Sequence, residues 1–79
     1  MPYIVADYRK ELQGGDRPKS SGELNYCFTH KVLEYLPQHP SYSDFNAAIG
    51  ALECAKLELY RRMVVPYEEQ KREQNGDVY

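Results

Sequence analysis

Residues 43–66 read SDFNAAIGALECAKLELYRRMVVP and carry the strongest helical pattern in the chain. Ser43 offers a helix-capping hydroxyl before the apolar run, and Pro66 has no amide hydrogen with which to continue the backbone hydrogen bonds. Between them, apolar side chains recur every three or four residues, which places them on one side of a helix. They are Phe45, Ala48, Leu52, Ala55, Leu59 and Met63. The pattern predicts one long helix over 43–65 with this side in the core.

A second apolar set lies outside that stripe and consists of Ala47, Ala51, Cys54, Leu57, Val64 and Val65. The helix would be about 33 Å long and its partner helix about 24 Å, at 1.5 Å per residue, so one partner cannot cover it. Gly50, in mid-helix, indicates that another backbone approaches closely. We therefore predict a homo-oligomer. In the alternative, the N-terminal helix covers the second set and the protein is monomeric.

Two shorter helices precede the long one. Ser20 and Glu23 form a capping-box signature, and Pro37 ends the helix that follows, so the pattern predicts a helix over 22–36. Its core side would hold Leu24, Cys27, Phe28, Val32, Tyr35 and Leu36, and its opposite side Tyr26, Thr29, His30 and Leu33. The short, proline-containing connection to the long helix predicts an antiparallel helical hairpin.

The two ends of the chain complete an all-α fold in a single domain, 1–79. Pro2 suits a first helical position and Gly14-Gly15 a helix end, which predicts a short N-terminal helix over 1–13 and a loop over 14–21. Beyond Pro66, the charged run predicts a kinked, solvated extension of the long helix over 66–76.

Composition limits the class of function. The chain has 79 residues, ten Lys and Arg against 12 Asp and Glu, and a formal net charge of −2, so it lacks the basic excess of proteins that grip nucleic-acid polymers. Its apolar runs are far shorter than the roughly 20 residues of a membrane span. The two cysteines, Cys27 and Cys54, occupy apolar helical positions, and no signal-peptide pattern opens the sequence. We expect a soluble protein of the cytoplasm.

Enzymatic and metal chemistry find little support in the sequence. His30 and Glu34 have a metal-compatible spacing, but a site needs three or four ligands. Both cysteines lie where thiols are usually inert, and there is no glycine-rich phosphate loop. We predict no catalytic residues, no metal and no cofactor.

Tyrosine is the unusual component, with eight in 79 residues and no tryptophan. An aromatic ring can stack on a base, and a cationic side chain can hold a phosphate through a charge-assisted hydrogen bond. The predicted stacking residues are Tyr8, Tyr26 and Tyr60, the predicted phosphate ligands are Arg9, Lys31, Arg61 and Arg62, and Asn25 could read a base edge. Of the two adjacent arginines, Arg61 lies beside the second apolar set and is the preferred phosphate ligand. In the alternative, these clusters are an oligomer seam.

Four segments carry a family resemblance: GELNY at 22–26, GALECAKLELYRR at 50–62, VPYE at 65–68 and NGDVY at 75–79. They resemble a family of very small proteins, common in bacteriophage and metagenomic sequences, for which no biochemical activity is established. The predicted layout of helices is also similar to that of phage anti-CBASS sponge proteins, which assemble as oligomers and sequester cyclic nucleotides.

The resemblance implies a non-enzymatic phage protein that acts in the host cytoplasm. It would sequester a nucleotide-derived immune signal, of the cyclic oligonucleotide or cyclic ADP-ribose type, in pockets between subunits. The alternative belongs to another class: a small oligomeric adaptor that binds a host or phage protein through a tyrosine-rich face.

Overall fold

The computed structural model describes residues 3–79, and every regular element in that range is helical. The chain divides into two units, Met1–Phe45 and Asn46–Tyr79. The helices are α1 (Ala6–Gln13), α2 (Ser21–Tyr35), α3 (Tyr42–Leu59) and α4 (Val65–Asn75), and a π-helical segment, Tyr60–Val64, joins α3 to α4. The predicted all-α class is confirmed.

Helix α1 is shorter than predicted. The expected start at Pro2 lies outside the described residues, and Tyr3–Val5 are not helical. The helix begins after Val5, whose backbone is extended and whose side chain has no acceptor for the free amides of the first turn. It ends at Gln13 as expected, and Gly15 follows with a φ of +103°, a conformation that glycine adopts without strain.

Helix α2 begins and ends close to the predicted residues. The Glu23 amide donates to Ser20 Oγ at 3.1 Å, and Glu23 Oε1 accepts from the Lys19 amide at 2.6 Å. This reciprocal arrangement satisfies amide groups that a helix start leaves free. At the other end Leu36 is extended, as expected for a residue that precedes a proline.

The predicted core side of α2 is only partly covered: Cys27, Val32 and Leu36 are half-buried. Leu24, Phe28 and Tyr35, expected in the core, are all exposed, Tyr35 by 61%. Tyr26 and His30, expected on the back, are half-buried because α1 packs on this side. Among residues 3–45, the only buried side chain is Leu12.

Helix α3 begins one residue before the predicted start, and its cap is Ser41 rather than Ser43. The Asp44 amide donates to Ser41 Oγ at 3.2 Å, and Asp44 Oδ2 accepts from the Ser41 amide at 2.8 Å. Both serines precede an acidic residue, but only Ser41 has one three positions later, the spacing that a capping box requires.

At Pro66 the long helix changes its winding instead of ending. The Val65 amide donates to the carbonyl of Tyr60, five residues back, where an α-helix would use the residue four back. Pro66 then occupies the first turn of α4, the position in which its missing amide costs least. Helix α4 ends at Asn75, where Gly76 takes a φ of +86° and donates to the Arg72 carbonyl.

The long helix exposes apolar side chains from both of the apolar sets defined in its sequence. Among residues 46–79 only Ala48 is buried, while Leu52 and Leu59 of the first set and Leu57 of the second are open. Within residues 3–79, no helix combines the length and the apolar character needed to cross a membrane.

Candidate functional site

The eight residues predicted for a ligand site are divided between the two units. Met1–Phe45 contains Tyr8, Arg9, Asn25, Tyr26 and Lys31, and Asn46–Tyr79 contains Tyr60, Arg61 and Arg62. Each group is organised by contacts within its own unit.

The first group centres on a pair of stacked rings on α2. The rings of Tyr26 and His30 lie 5.8 Å apart, centroid to centroid, with their planes within 10°. Gln13, at the end of α1, donates its side-chain amide to the Tyr26 hydroxyl. Both rings are half-buried, so each is held in place and still presents part of its surface to solvent.

Arg9 lies one helical turn before Gln13, on the same side of α1. Its side chain is exposed, and among residues 3–79 no carboxylate lies within ion-pairing distance of it. We call Gln13, Tyr26 and His30 the α1–α2 cluster. It combines flat rings and an amide, and Arg9 shares the side of α1 on which Gln13 lies.

Tyr8 and Asn25, two other predicted residues of this unit, belong to α1 and α2 respectively. Tyr8 is half-buried on α1. Asn25 is exposed and faces Thr29, whose hydroxyl donates to the Asn25 carbonyl at 2.9 Å and to its Oδ1 at 3.3 Å. An Asn25 side chain engaged in this way points along α2.

Lys31 is neutralised by a carboxylate on its own helix. Its Nζ lies 2.9 Å from Glu34 Oε2, and His30 Nε2 lies 3.5 Å from Glu34 Oε1. The hydrogen bond from Lys31 and then its positive charge lower the pKa of Glu34, with a smaller contribution from His30. Glu34 therefore stays ionised and forms an ion pair with Lys31.

In the second unit, one carboxylate holds both arginines. Arg61 Nη2 donates to Glu58 at 3.0 and 3.2 Å, and Arg62 Nε donates to the same carboxylate. The arginine pair, Arg61 and Arg62, thus shares one negative charge on an exposed surface.

The Glu58 contacts should contribute little to stability, because exposed ion pairs are worth less than about 1 kcal/mol. We expect Glu58→Gln to lower the free energy of unfolding by less than about 1 kcal/mol in urea melts. Glu53→Gln, which removes the exposed pair of Glu53 with Lys56, is the matched control and should behave alike. A loss of several kcal/mol with Glu58→Gln alone would contradict this assignment.

Tyr60 spans the π-helical segment to reach α4. Its hydroxyl donates to Glu68 Oε1 at 3.3 Å. The negative charge of Glu68 and then this hydrogen bond raise the pKa of Tyr60 above its ordinary value. The Tyr60 hydroxyl therefore already has a carboxylate as its hydrogen-bond acceptor.

Because its pKa is raised, the Tyr60 phenol keeps its contact with Glu68 at neutral pH and loses it at alkaline pH. Its stabilising effect is fully present below the ordinary tyrosine pKa and is lost as the pH rises through the raised one. We expect Glu68→Gln to lower the Tyr60 pKa towards its ordinary value, measured by NMR titration of ring-labelled tyrosine. Glu69→Gln is the control and should leave the titration unchanged; an equal shift in both variants would contradict the specific contact.

Two further features bear on chemistry. No group of three or more His, Cys, Asp or Glu side chains within 3–79 is arranged to hold a metal ion. A groove of about 430 Å³ lies between α4 and the residues after Gly76, beside the 4.0 Å contact of Arg72 with Asp77, and contains none of the predicted site residues.

Sequence reasoning missed two members of the α1–α2 cluster. For His30 the sequence indicates a place on the back of α2 and a metal-compatible spacing with Glu34, and it marks Gln13 only as the end of the N-terminal helix. The spacing of four between Tyr26 and His30 was the available signal, since side chains at that distance meet on a helix. The contact with Gln13 depends on how α1 packs on α2, which no local pattern contains.

Comparison with known proteins returns one family. A family model described as a domain of unknown function, DUF6899, matches residues 1–78. No curated protein and no solved structure is significantly similar to the chain.

Proposed function

The chain belongs to the DUF6899 family, and we propose that it is a non-enzymatic phage protein that sequesters a nucleotide-derived immune signal. The signal would be of the cyclic oligonucleotide or cyclic ADP-ribose type. By capturing it in the host cytoplasm, the protein would help the phage to evade host defence. The phage context rests on the sequence resemblance.

The stacked Tyr26 and His30 rings carry this proposal. An aromatic ring gains about 1–3 kcal/mol from stacking on a base, and a ring that is already fixed loses little entropy on binding. The Tyr26 hydroxyl is held by Gln13, so the ring has a defined orientation before a ligand arrives. The Gln13 amide also offers hydrogen-bonding groups to the edge of a base.

Arg9 is the phosphate ligand that fits the stacked rings best. Lys31, Arg61 and Arg62 each have a carboxylate within hydrogen-bond distance, and a phosphate would have to compete with it. Arg9 shares one side of α1 with Gln13 and needs no such exchange. Because the whole chain is net negative, binding would depend on local groups repeated in an oligomer. A nucleic-acid polymer or a membrane is not the expected partner.

A homo-oligomer is part of the proposal because α3 is apolar on two opposite sides. Phe45, Leu52 and Leu59 are on one side, and Ala51 and Leu57 are on the other. Apolar residues on two sides of a helix are normally buried against a neighbour on each side. In the proposed assembly α2 and α3 form an antiparallel hairpin, through the short connection with Pro37 and Pro40, and other copies cover the second side.

The exposed apolar side chains support packing of this kind. Ile49, Leu57 and Leu59 are each more than half exposed, and at about 25 cal/mol per Å² of apolar area their burial between subunits would be a major source of stability.

The test is a thermal-shift panel. Purified protein is heated with cyclic dinucleotides, cyclic trinucleotides and cyclic ADP-ribose isomers, with the linear counterpart of each as the control. A ligand at 100 times its dissociation constant stabilises by about 2.7 kcal/mol, which corresponds to a rise in Tm of roughly 10–20 °C for a domain of this size. If no member of the panel raises the Tm, the sequestration proposal is wrong.

A second function, an oligomeric adaptor, is favoured by the exposed aromatic and apolar side of α2. Leu24, Phe28 and Tyr35 lie open along this helix, and aromatic anchors of this type often carry the binding energy of protein interfaces. If the nucleotide panel gives no shift and Phe28→Ala abolishes capture of one defined host or phage protein, the adaptor function replaces sequestration. The cluster of Tyr26 and His30 would then have a structural role.

A further inference from the structure

His30 and Glu34 form the only contact between a histidine and a carboxylate within residues 3–79. His30 Nε2 lies 3.5 Å from Glu34 Oε1, across one turn of α2. The second histidine of the chain, His39, has no carboxylate within ion-pairing distance in the same range. An imidazole nitrogen and a carboxylate oxygen therefore lie side by side at one place on α2.

The separation of these two atoms fits one metal geometry. Zinc binds an imidazole nitrogen at about 2.0–2.1 Å and a carboxylate oxygen at about 2.0–2.2 Å. Two such ligands of a tetrahedral ion are about 3.3–3.5 Å apart, whereas neighbouring ligands of a square-planar or octahedral ion are about 2.8–3.0 Å apart. The 3.5 Å between His30 Nε2 and Glu34 Oε1 agrees with the tetrahedral value.

Contacts around the pair hold both ligands in place. The His30 ring stacks on the Tyr26 ring, and Gln13 donates to the Tyr26 hydroxyl. Lys31 Nζ lies 2.9 Å from Glu34 Oε2, which leaves Oε1 as the oxygen beside His30. The lowered pKa of Glu34 keeps its carboxylate in the ionised form that a metal requires. Metal ligands in proteins are commonly oriented by neighbours of this kind.

One chain supplies only half of a zinc site. A structural zinc site has four protein ligands, and within residues 3–79 no three His, Cys, Asp or Glu side chains are grouped to hold a metal. The sequence argument against a metal counted the ligands of a single chain. The side chains of His30 and Glu34 are 32% and 51% exposed, so the same pair on a second copy can reach an ion bound to the first.

We propose that His30 and Glu34 of two copies bind one Zn²⁺ ion between them. Two-fold symmetry places two imidazoles and two carboxylates around the ion, which is a four-ligand set that zinc accepts, and the two carboxylates neutralise its charge. Because the ion binds at the edge of the His30 ring, the stacking of that ring on Tyr26 is preserved. The inference goes beyond nucleotide binding and shares with it only the association of copies.

Zinc titration of the metal-free protein tests the site. Isothermal titration is carried out without nucleotide on a chain with Cys27→Ser and Cys54→Ser, because thiolates themselves bind zinc. We expect one Zn²⁺ ion for every two chains. The absence of binding, or one ion for every chain, would overturn the inference.

Single substitutions in the same thiol-free chain identify the ligands. Glu34→Gln keeps the shape of the side chain and should lower the affinity for zinc about 100-fold or more, as should His30→Ala. The matched controls, His39→Ala and Glu53→Gln, should bind zinc as the parent does. Glu53 suits this purpose because it also pairs with a lysine, Lys56, at 3.1 Å. Parent affinity in Glu34→Gln, or an equal loss in the controls, would overturn the inference.

X-ray absorption at the zinc edge measures the ligand set directly. We expect two imidazoles and two oxygen ligands for each ion, at about 2.0–2.2 Å. A single imidazole for each ion would overturn the sharing of zinc by two copies. The nucleotide panel, repeated in the presence of a chelator, reports separately on sequestration. A nucleotide-induced rise in Tm without any zinc binding would reject this inference and leave the proposed function standing.

Discussion

Leu57→Glu is expected to convert the assembly into a 9.2 kDa monomer. Leu57 is 57% exposed in the single chain, so glutamate at this position is well tolerated by the helix itself. Buried between subunits, an unpaired carboxylate costs several kcal/mol, which is enough to weaken association by a factor of a thousand or more. Size-exclusion chromatography with light scattering, at micromolar protein, measures the mass directly.

Two controls accompany this measurement. Leu57→Met keeps the apolar volume and should preserve the oligomer. The helix content of Leu57→Glu, followed by circular dichroism, should fall much less than its mass, since the substitution removes a partner rather than a hydrogen bond. A wild-type protein that already runs as a monomer, or an oligomer that survives Leu57→Glu, would contradict burial of this side of α3.

Tyr26→Ala is expected to remove the thermal shift produced by an active nucleotide. Loss of a stacking ring costs about 1–3 kcal/mol, or roughly a 5- to 150-fold loss of affinity. Isothermal titration measures that loss. Tyr26→Phe keeps the ring but gives up the contact with Gln13, so it should retain most of the affinity. An unchanged dissociation constant in Tyr26→Ala would remove the α1–α2 cluster from the site.

The same titration separates the two sources of positive charge. Arg9→Ala should weaken binding by at least ten-fold, because Arg9 is free to meet a phosphate. Arg61→Ala should have a smaller effect, since Glu58 already occupies that guanidinium. The opposite order would assign the phosphate to the arginine pair, as the position of Arg61 beside the second apolar set first indicated.

Most of the helical layout could be predicted because its signals are local. The Ser20 cap, the extended residue before Pro37 and the glycine at the end of α4 each act within a few positions of the helix end they mark. The start of α1 was wrong because a proline permits a first helical position without supplying a cap, and Val5 supplies none either.

The candidate site was less predictable because it depends on competition between partners. Their positive charge indicates that Arg61 and Lys31 can bind phosphate. It does not indicate whether a neighbouring carboxylate already forms an ion pair with them. Glu58 and Glu34 do so through contacts within one helix. The stacked rings emerge only when α1 packs on α2 and Gln13 meets Tyr26, and that contact joins residues 13 positions apart.

The π-helical segment Tyr60–Val64 has a consequence for how chains of this family can differ in length. A wide turn contains about one residue more than an α-helical turn, and one residue corresponds to about 100° of rotation. Removing a single residue there would convert the wide turn to an α-helical turn. The side chains of α3 and α4 would keep their directions around the helix axis. We therefore expect one-residue deletions among DUF6899 relatives to be accommodated between 60 and 64, whereas a deletion within α3 would rotate its apolar positions out of alignment.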